Sequence, residues 1–162
     1  MRRKSIGFLK SSKKLLKKIR HDIEEQTGAR WLEMAGEPAG IISQSEEEME
    51  WIVGHIAPLV AVEPHFSWQR NSIYLRFGHR DFQKGSSLSE ITKNYDLKTA
   101  DCFAIGDSYN DTEMLDPAHA GMIACPANAV AAIQQKVTMY GGVVAKASHG
   151  YGSIEAINHF FC

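Results

Sequence analysis

Asp101-Cys102-Phe103-Ala104-Ile105-Gly106-Asp107-Ser108-Tyr109-Asn110-Asp111 is the stretch on which the fold turns. Cys102 to Ile105 is a short, β-prone apolar run stopped by a glycine, the pattern of a buried strand that ends in a sharp turn. Two carboxylates follow, Asp107 at the mouth of the strand and Asp111 four residues on. If Asp111 lies on the first turn of a following helix, both acids face one crevice at the strand's carboxyl end, where open α/β sheets bind ligands. Two acids held there without a basic neighbour repel unless a cation lies between them, and hard oxygen donors suit Mg²⁺. The same residues also make a plain strand-to-helix connection, because Asp107, Ser108 and Asn110 are all good N-caps. Spacing alone leaves both readings open. A calcium loop of the EF-hand type is excluded, since Tyr109 and Thr112 stand where a ligand and the turn glycine are needed.

Outward from this stretch the pattern alternates. Lys84-Gly85-Ser86-Ser87 opens a helix carrying Leu88 and Ile91 to Tyr95, and a short helix through Met114 and Leu115 is expected after Asp111, broken at Pro117. Ala120 to Cys125 reads as another apolar strand, followed by a helix from Ala129 to Val137. A final helix from Gly152 or Ser153 is expected to bury Ile154, Ile157, Phe160 and Phe161. Strands and helices in this order describe βαβ units on a parallel sheet.

The first half has a different character. Ser11 or Ser12 caps a helix expected to reach Thr27, strands are expected at Ala29–Met34 and Ala39–Gln44, and Gly36-Glu37-Pro38 marks the turn between them. Ser45 with Glu48 is a capping-box pattern that opens a helix through Met49, Ile52, Val53 and Ile56 to Pro58, with Leu59 to Phe66 extended. Asn71 to Phe77 alternates as a half-buried antiparallel strand with Ile73, Leu75 and Phe77 inward. These elements make a small α+β unit over residues 1–78, distinct from residues 79–162. His65 and His79 lack the helical spacing of a metal pair.

The chain of 162 residues is 44% hydrophobic, enough for one domain or two small lobes. It has no apolar run near the roughly 18 residues of a membrane span and no secretory core at its amino terminus, which makes the cytoplasm the default location. Cys102, Cys125 and Cys162 are odd in number and widely spaced, which suits free thiols rather than a disulfide framework. Nine of the eighteen Lys and Arg residues fall in the first twenty positions, leaving nine against nineteen acids elsewhere. Leu15, Leu16, Ile19 and Ile23 form one helical stripe there, so a solvated amphipathic helix packed on the protein is favoured over an arm for nucleic acid or an anionic membrane.

At Lys84-Gly85, Gly106-Asp-Ser-Tyr-Asn-Asp111 and Asn128-Ala129 the sequence resembles the carboxyl-terminal half of haloacid dehalogenase (HAD) superfamily phosphatases. The likeness is to members with a large α/β (type 2) cap, of the sucrose-phosphate phosphatase-like and Cof-like kind. It runs over residues 72–161, and the tail from Ala147 to His159 shares it. The resemblance implies an α/β fold: a partial HAD-like (Rossmannoid) parallel-sheet core behind a small α+β cap. It also implies a Mg²⁺-dependent hydrolase of phosphomonoesters, with a phosphorylated small molecule, such as a sugar phosphate, as substrate. In that family an Asp carboxylate attacks phosphorus and a second Asp serves as acid and base, while a Lys and Mg²⁺ neutralise the phosphoryl oxygens. By resemblance Lys84 contacts nucleophile and phosphate, Asp107 binds the metal, Asp111 binds the metal or orients its shell, and Asn110 touches substrate.

One part of the family pattern is missing. The Asp residues are 22, 81, 96, 101, 107, 111 and 116, so no Asp-x-Asp nucleophile motif occurs. Nor does a phosphate-binding Ser or Thr at the end of a second strand precede residue 84. The motif order therefore implies a truncated phosphatase, inactive alone, whose Cys102–Ile105 strand lacks a neighbour and invites homodimerisation through its open edge. The alternatives are a noncatalytic phosphate- or Mg²⁺-binding protein, or a subunit whose basic helix docks nucleic acid or membrane.

Overall fold

The computed structural model describes residues 13–33 and 39–162, and the chain divides into two compact units, the first ending at Phe82 and the second beginning at Gln83. The expected caps at Ser11 or Ser12 and the Gly36-Glu37-Pro38 turn lie outside the described residues.

The first unit runs α1 (Lys13–Gln26), β1 (Arg30–Leu32), β2 (Gly40–Ile42), α2 (Glu46–Ala61), β3 (Phe66–Asn71) and β4 (Tyr74–His79), then a 3₁₀ turn at Arg80–Phe82. Its four strands pair antiparallel in the order β1-β2-β4-β3. Period-2 alternation sends Leu75 and Phe77 inward from β4, where they meet the helical stripes Leu16, Ile19, Ile23 of α1 and Met49, Ile52, Ile56, Val60 of α2 in one core. Phe77 stacks on Phe66 at 5.4 Å between ring centroids and tilts against Trp31 at 5.8 Å. The amphipathic α1 thus packs its apolar stripe into this unit, and Arg20 on its polar side pairs with Glu24 at 2.8 Å and Glu33 at 2.6 Å. Arg70 of β3, 4% exposed, bonds the Glu46 and Glu50 carboxylates at the start of α2.

Several sequence expectations change here. Ser45 caps α2 as expected, accepting from the Glu48 amide at 3.1 Å, but the Glu48 carboxylate reaches back past it to the amides of Gln44 and Gly28, both at 2.7 Å. The helix also continues through Pro58 to Ala61. A proline removes one backbone bond, yet the helix runs on past it and buries Val60 on the same stripe. The strand expected over Asn71 to Phe77 forms from Tyr74, with Leu75 and Phe77 inward, but its first residues belong to a hairpin: Asn71 pairs with Tyr74, and Ser72 turns with φ 51°, leaving Ile73 half-buried at the bend. Phe66 pairs with His79 and the Arg80 amide donates to the His65 carbonyl at 3.0 Å. Those bonds keep residues 79–82 with the first unit, so its edge lies beyond the break expected after Gly78.

The second unit runs α3 (Lys84–Asn94), β5 (Phe103–Ile105), β6 (Met122–Cys125), α4 (Ala131–Met139), β7 (Val143–Val144) and α5 (His149–Phe161), with 3₁₀ turns at Thr99–Asp101 and Tyr109–Asp111. Its sheet is parallel throughout, in the order β5-β6-β7, so β5 is an edge strand. Ala104, Leu115, Ile123, Cys125, Ile133 and Val137 form the centre of its core, and Cys102 is buried with them while Cys162 is exposed.

Two further expectations fail in this unit. No helix passes through Met114 and Leu115: the Leu115 amide donates to the Asp111 carbonyl at 3.2 Å, and the single turn stops because Pro117 has no amide and the Asp116 carboxylate takes the Ala118 amide instead at 3.0 Å. On α5 the face expected inward points out. Ile154, Ile157 and Phe161 are 54%, 44% and 57% exposed, whereas Gly152 and Ala156 are buried; of the four residues expected inward only Phe160 is half-buried, its ring 5.6 Å from that of Phe103. Close approach explains the choice, because a side chain at Gly152 would meet the Ala147 carbonyl oxygen at 2.3 Å and Pro126 at 2.8 Å.

Candidate functional site

The site is assembled from two segments of the second unit, the start of α3 and the loop after β5. Gln83 precedes α3 with its amide donating to Ser86 Oγ at 2.9 Å, and Lys84 is the first helical residue. A positive charge there opposes the helix dipole, and α3 has no acid in its own first turn. The acids come from the other segment. The Lys84 ammonium bonds Asp111 Oδ1, and the Glu113 carboxylate accepts from the amides of Gly85 at 3.0 Å and Ser86 at 3.2 Å.

Asp111 is the hub. Its side chain is 6% exposed, and its second oxygen, Oδ2, accepts from the amides of Asp107 at 3.0 Å and Ser108 at 3.2 Å. The carboxylate therefore closes the loop onto itself and offers its remaining oxygen to Lys84. Gly106 is required by this fold-back, since a Cβ there would stand 2.4 Å from the Asp111 Cβ. Asp107 lies at the strand mouth and is exposed, its carbonyl accepting from the Val130 amide at 2.9 Å. Asn110 is half-buried in the 3₁₀ turn between them.

The structure thus brings Lys84 and Asp111 into contact and places Asp107 and Asn110 on the same loop. It corrects the premise that the two acids have no basic neighbour. Lys84, 27 positions upstream, supplies that neighbour by pairing its ammonium with Asp111. Among the described residues no three His, Cys, Asp or Glu side chains converge as a protein-only metal cage would require. Mg²⁺ does not need such a cage, because it keeps several waters and takes one or two carboxylates together with substrate phosphate. Exposed Asp107 fits that demand, whereas both oxygens of Asp111 already accept hydrogen bonds.

Sequence reasoning missed Glu113 and His119, and it named Gly85 only as part of the Lys84-Gly85 motif. Ser89 Oγ lies 2.7 Å from His119 Nδ1, and a Cβ on Gly85 would meet Glu113 Cγ at 2.5 Å, so α3 is seated closely on the segment after Asp111. A lysine opening a helix with no acid in its first turn was the available signal. Asn128, read as a motif residue, accepts from the His149 amide at 2.5 Å and so holds the start of α5.

The sequence profile of haloacid dehalogenase-like hydrolases matches residues 6–149. This chain belongs to that family. Its family likeness extends to phosphoglycolate phosphatase of Methanosarcina acetivorans, 38% identical over 74 residues that are 46% of this chain and 30% of that protein. In structure, this HAD-like chain is similar to the sucrose-phosphatase of Synechocystis, solved with sucrose and phosphate. The TM-score is 0.70 at 14% identity, over 95% of this chain and 65% of that one. It is also similar to a HAD phosphatase from Bacteroides thetaiotaomicron, with TM-score 0.57 at 24% identity over 75% of this chain and 41% of the other. The chain spans less than two thirds of the length of each of these relatives. The neighbours agree with the mixed α/β fold and its parallel sheet, and no helix among the described residues is long and apolar enough to cross a membrane.

Proposed function

We propose that this chain carries the lysine and metal half of a Mg²⁺-dependent phosphomonoesterase site, acting on a phosphorylated small molecule of the sugar-phosphate kind. The observation that carries the reading is the Lys84–Asp111 ion pair beside exposed Asp107 at the end of β5. Phosphoryl transfer is mostly a matter of placing positive charge around the equatorial oxygens. Lys84, 45% exposed at its side chain, presents an ammonium to them. Asp107 would hold Mg²⁺, which when bound supplies Lewis-acid charge on the phosphoryl oxygen. Asp111 holds Lys84 and the loop in place, and Asn110 donates to substrate.

Covalent attack needs an Asp that these 162 residues do not contain in its motif. The chain by itself is therefore expected to bind phosphate with Mg²⁺ but not to turn over phosphate esters. Calorimetry with inorganic phosphate and Mg²⁺ tests binding, with Lys84→Met and Asp107→Ala each abolishing it. A panel of sugar phosphates tests turnover, and robust hydrolysis lost in Asp107→Ala would refute the inactive-alone reading. The absent Asp-x-Asp equally favours a noncatalytic phosphate-binding protein. The two separate when a polypeptide bearing such a motif is added, since only the first reading gains turnover. The open edge of β5 is further proposed to pair with a second copy of the chain, which sedimentation velocity would detect.

A further inference from the structure

We propose that Glu113 is a positioning residue, which aims the Lys84 ammonium by gripping the backbone that carries it. The inference rests on the phosphatase reading for its purpose but not for its geometry. Asp111 and Glu113 stand two positions apart on one turn and take hold of α3 at two points. Asp111 Oδ1 accepts from Lys84 Nζ, and Glu113 Oε2 accepts from the amides of the next two residues, Gly85 and Ser86. A long flexible lysine stem held only at its tip keeps much of its freedom. Held also at its root, it has a fixed origin and a fixed target.

Three observations mark this contact as built. The α3 first turn holds no acid of its own, and the carboxylate that accepts from its amides comes from Glu113. Gly85 leaves room for it, because any Cβ would fall 2.5 Å from Glu113 Cγ and 2.9 Å from the Glu113 carbonyl carbon. Ser89 Oγ reaches His119 Nδ1 at 2.7 Å one turn further along, holding the same helix face to the same segment. A second consequence concerns substrate. The first free amides of α3 would otherwise form an anion site, and Glu113 already fills it. A bound phosphoryl group must therefore be met by the Lys84 side chain rather than by the helix amides.

The test reads Lys84 directly in the intact chain. Acylation of lysines by an amine-reactive ester is followed residue by residue by mass spectrometry, with Lys136 of the same unit as reference, alongside amide exchange at Gly85 and Ser86. Losing two charge-assisted bonds should speed acylation of Lys84 and exchange at both amides roughly 5- to 10-fold in Glu113→Ala, with Lys136 unchanged. Because one oxygen accepts both bonds, Glu113→Gln should return Lys84 to within about twofold of the parent. Lys84 acylated at the parental rate in Glu113→Ala overturns the proposal. So does a Gln variant as fast as Ala, or equal acceleration at Lys136, which would mark general loosening. If these rates come out as expected while the parent chain fails to bind inorganic phosphate with Mg²⁺, the positioning stands and the phosphatase reading falls.

Discussion

At the residue scale, Asp111 does the work of a structural knot, and that decides what substitutions there should cost. Asp111→Ala orphans two loop amides and leaves the Lys84 ammonium facing an emptied site, for a loss of about 2–4 kcal/mol in urea unfolding. Asp107→Asn, at an exposed position, should stay within about 0.5 kcal/mol of the parent in the same melts while weakening Mg²⁺-dependent phosphate binding. Gly106→Ala would push a methyl against Asp111 and should cost roughly 1–3 kcal/mol, read the same way. The motif residues were legible in the sequence because Gly-Asp-x-x-Asn-Asp is a compact signature. The partnership of Asp111 with Lys84 was not, since 27 positions separate them and only the tertiary fold closes that distance.

At the element scale, local pattern succeeded where one face of a helix or strand meets one core, as in α1, α2 and β4. It failed at α5, where apolar residues lie on both sides and periodicity cannot say which side wins. The narrow approach to Ala147 and Pro126 chooses the face of Gly152 and Ala156, a close-packing constraint invisible in a hydropathy pattern. Ile154→Ser with Ile157→Ser should accordingly leave stability within about 0.5 kcal/mol in urea melts, whereas Ala156→Leu should cost about 1–3 kcal/mol. Asp116 couples the turn before β6 to α4. The Ala118 amide holds its carboxyl below the usual range; partial burial opposes this, and the Lys136 ammonium and Tyr140 hydroxyl add to it. A depressed carboxylate stabilises the fold above its unfolded pKa and loses that contribution as pH falls through the folded one. Melting of the second unit should therefore drop below about pH 4, and Asp116→Asn should flatten the drop.

For the whole molecule, the change of character after Gly78 was readable as a shift from antiparallel alternation to strand-helix repetition, and each half has its own core. The boundary itself was not readable, because the bonds of His79 and Arg80 to β3 and its approach are long-range. All three tryptophans, Trp31, Trp51 and Trp68, belong to the first unit, whereas four of the five tyrosines lie in the second, so tryptophan emission excited selectively at the red edge reports on the first unit alone. Two cores of this kind should unfold at different temperatures. Fluorescence and far-ultraviolet circular dichroism melts are then expected not to coincide, and Val137→Ala should move only the dichroism curve.

The three thiols offer a route to watching the second unit from outside. Burial pushes the Cys125 thiol up and shields Cys102, while Cys162 at the end of α5 is open to solvent. A maleimide dye would therefore attach at one address without any engineering. Sitting just past Phe161, whose ring lies 5.7 Å from that of Phe103 on the edge strand, the fluorophore would change colour or brightness when something docks along that side.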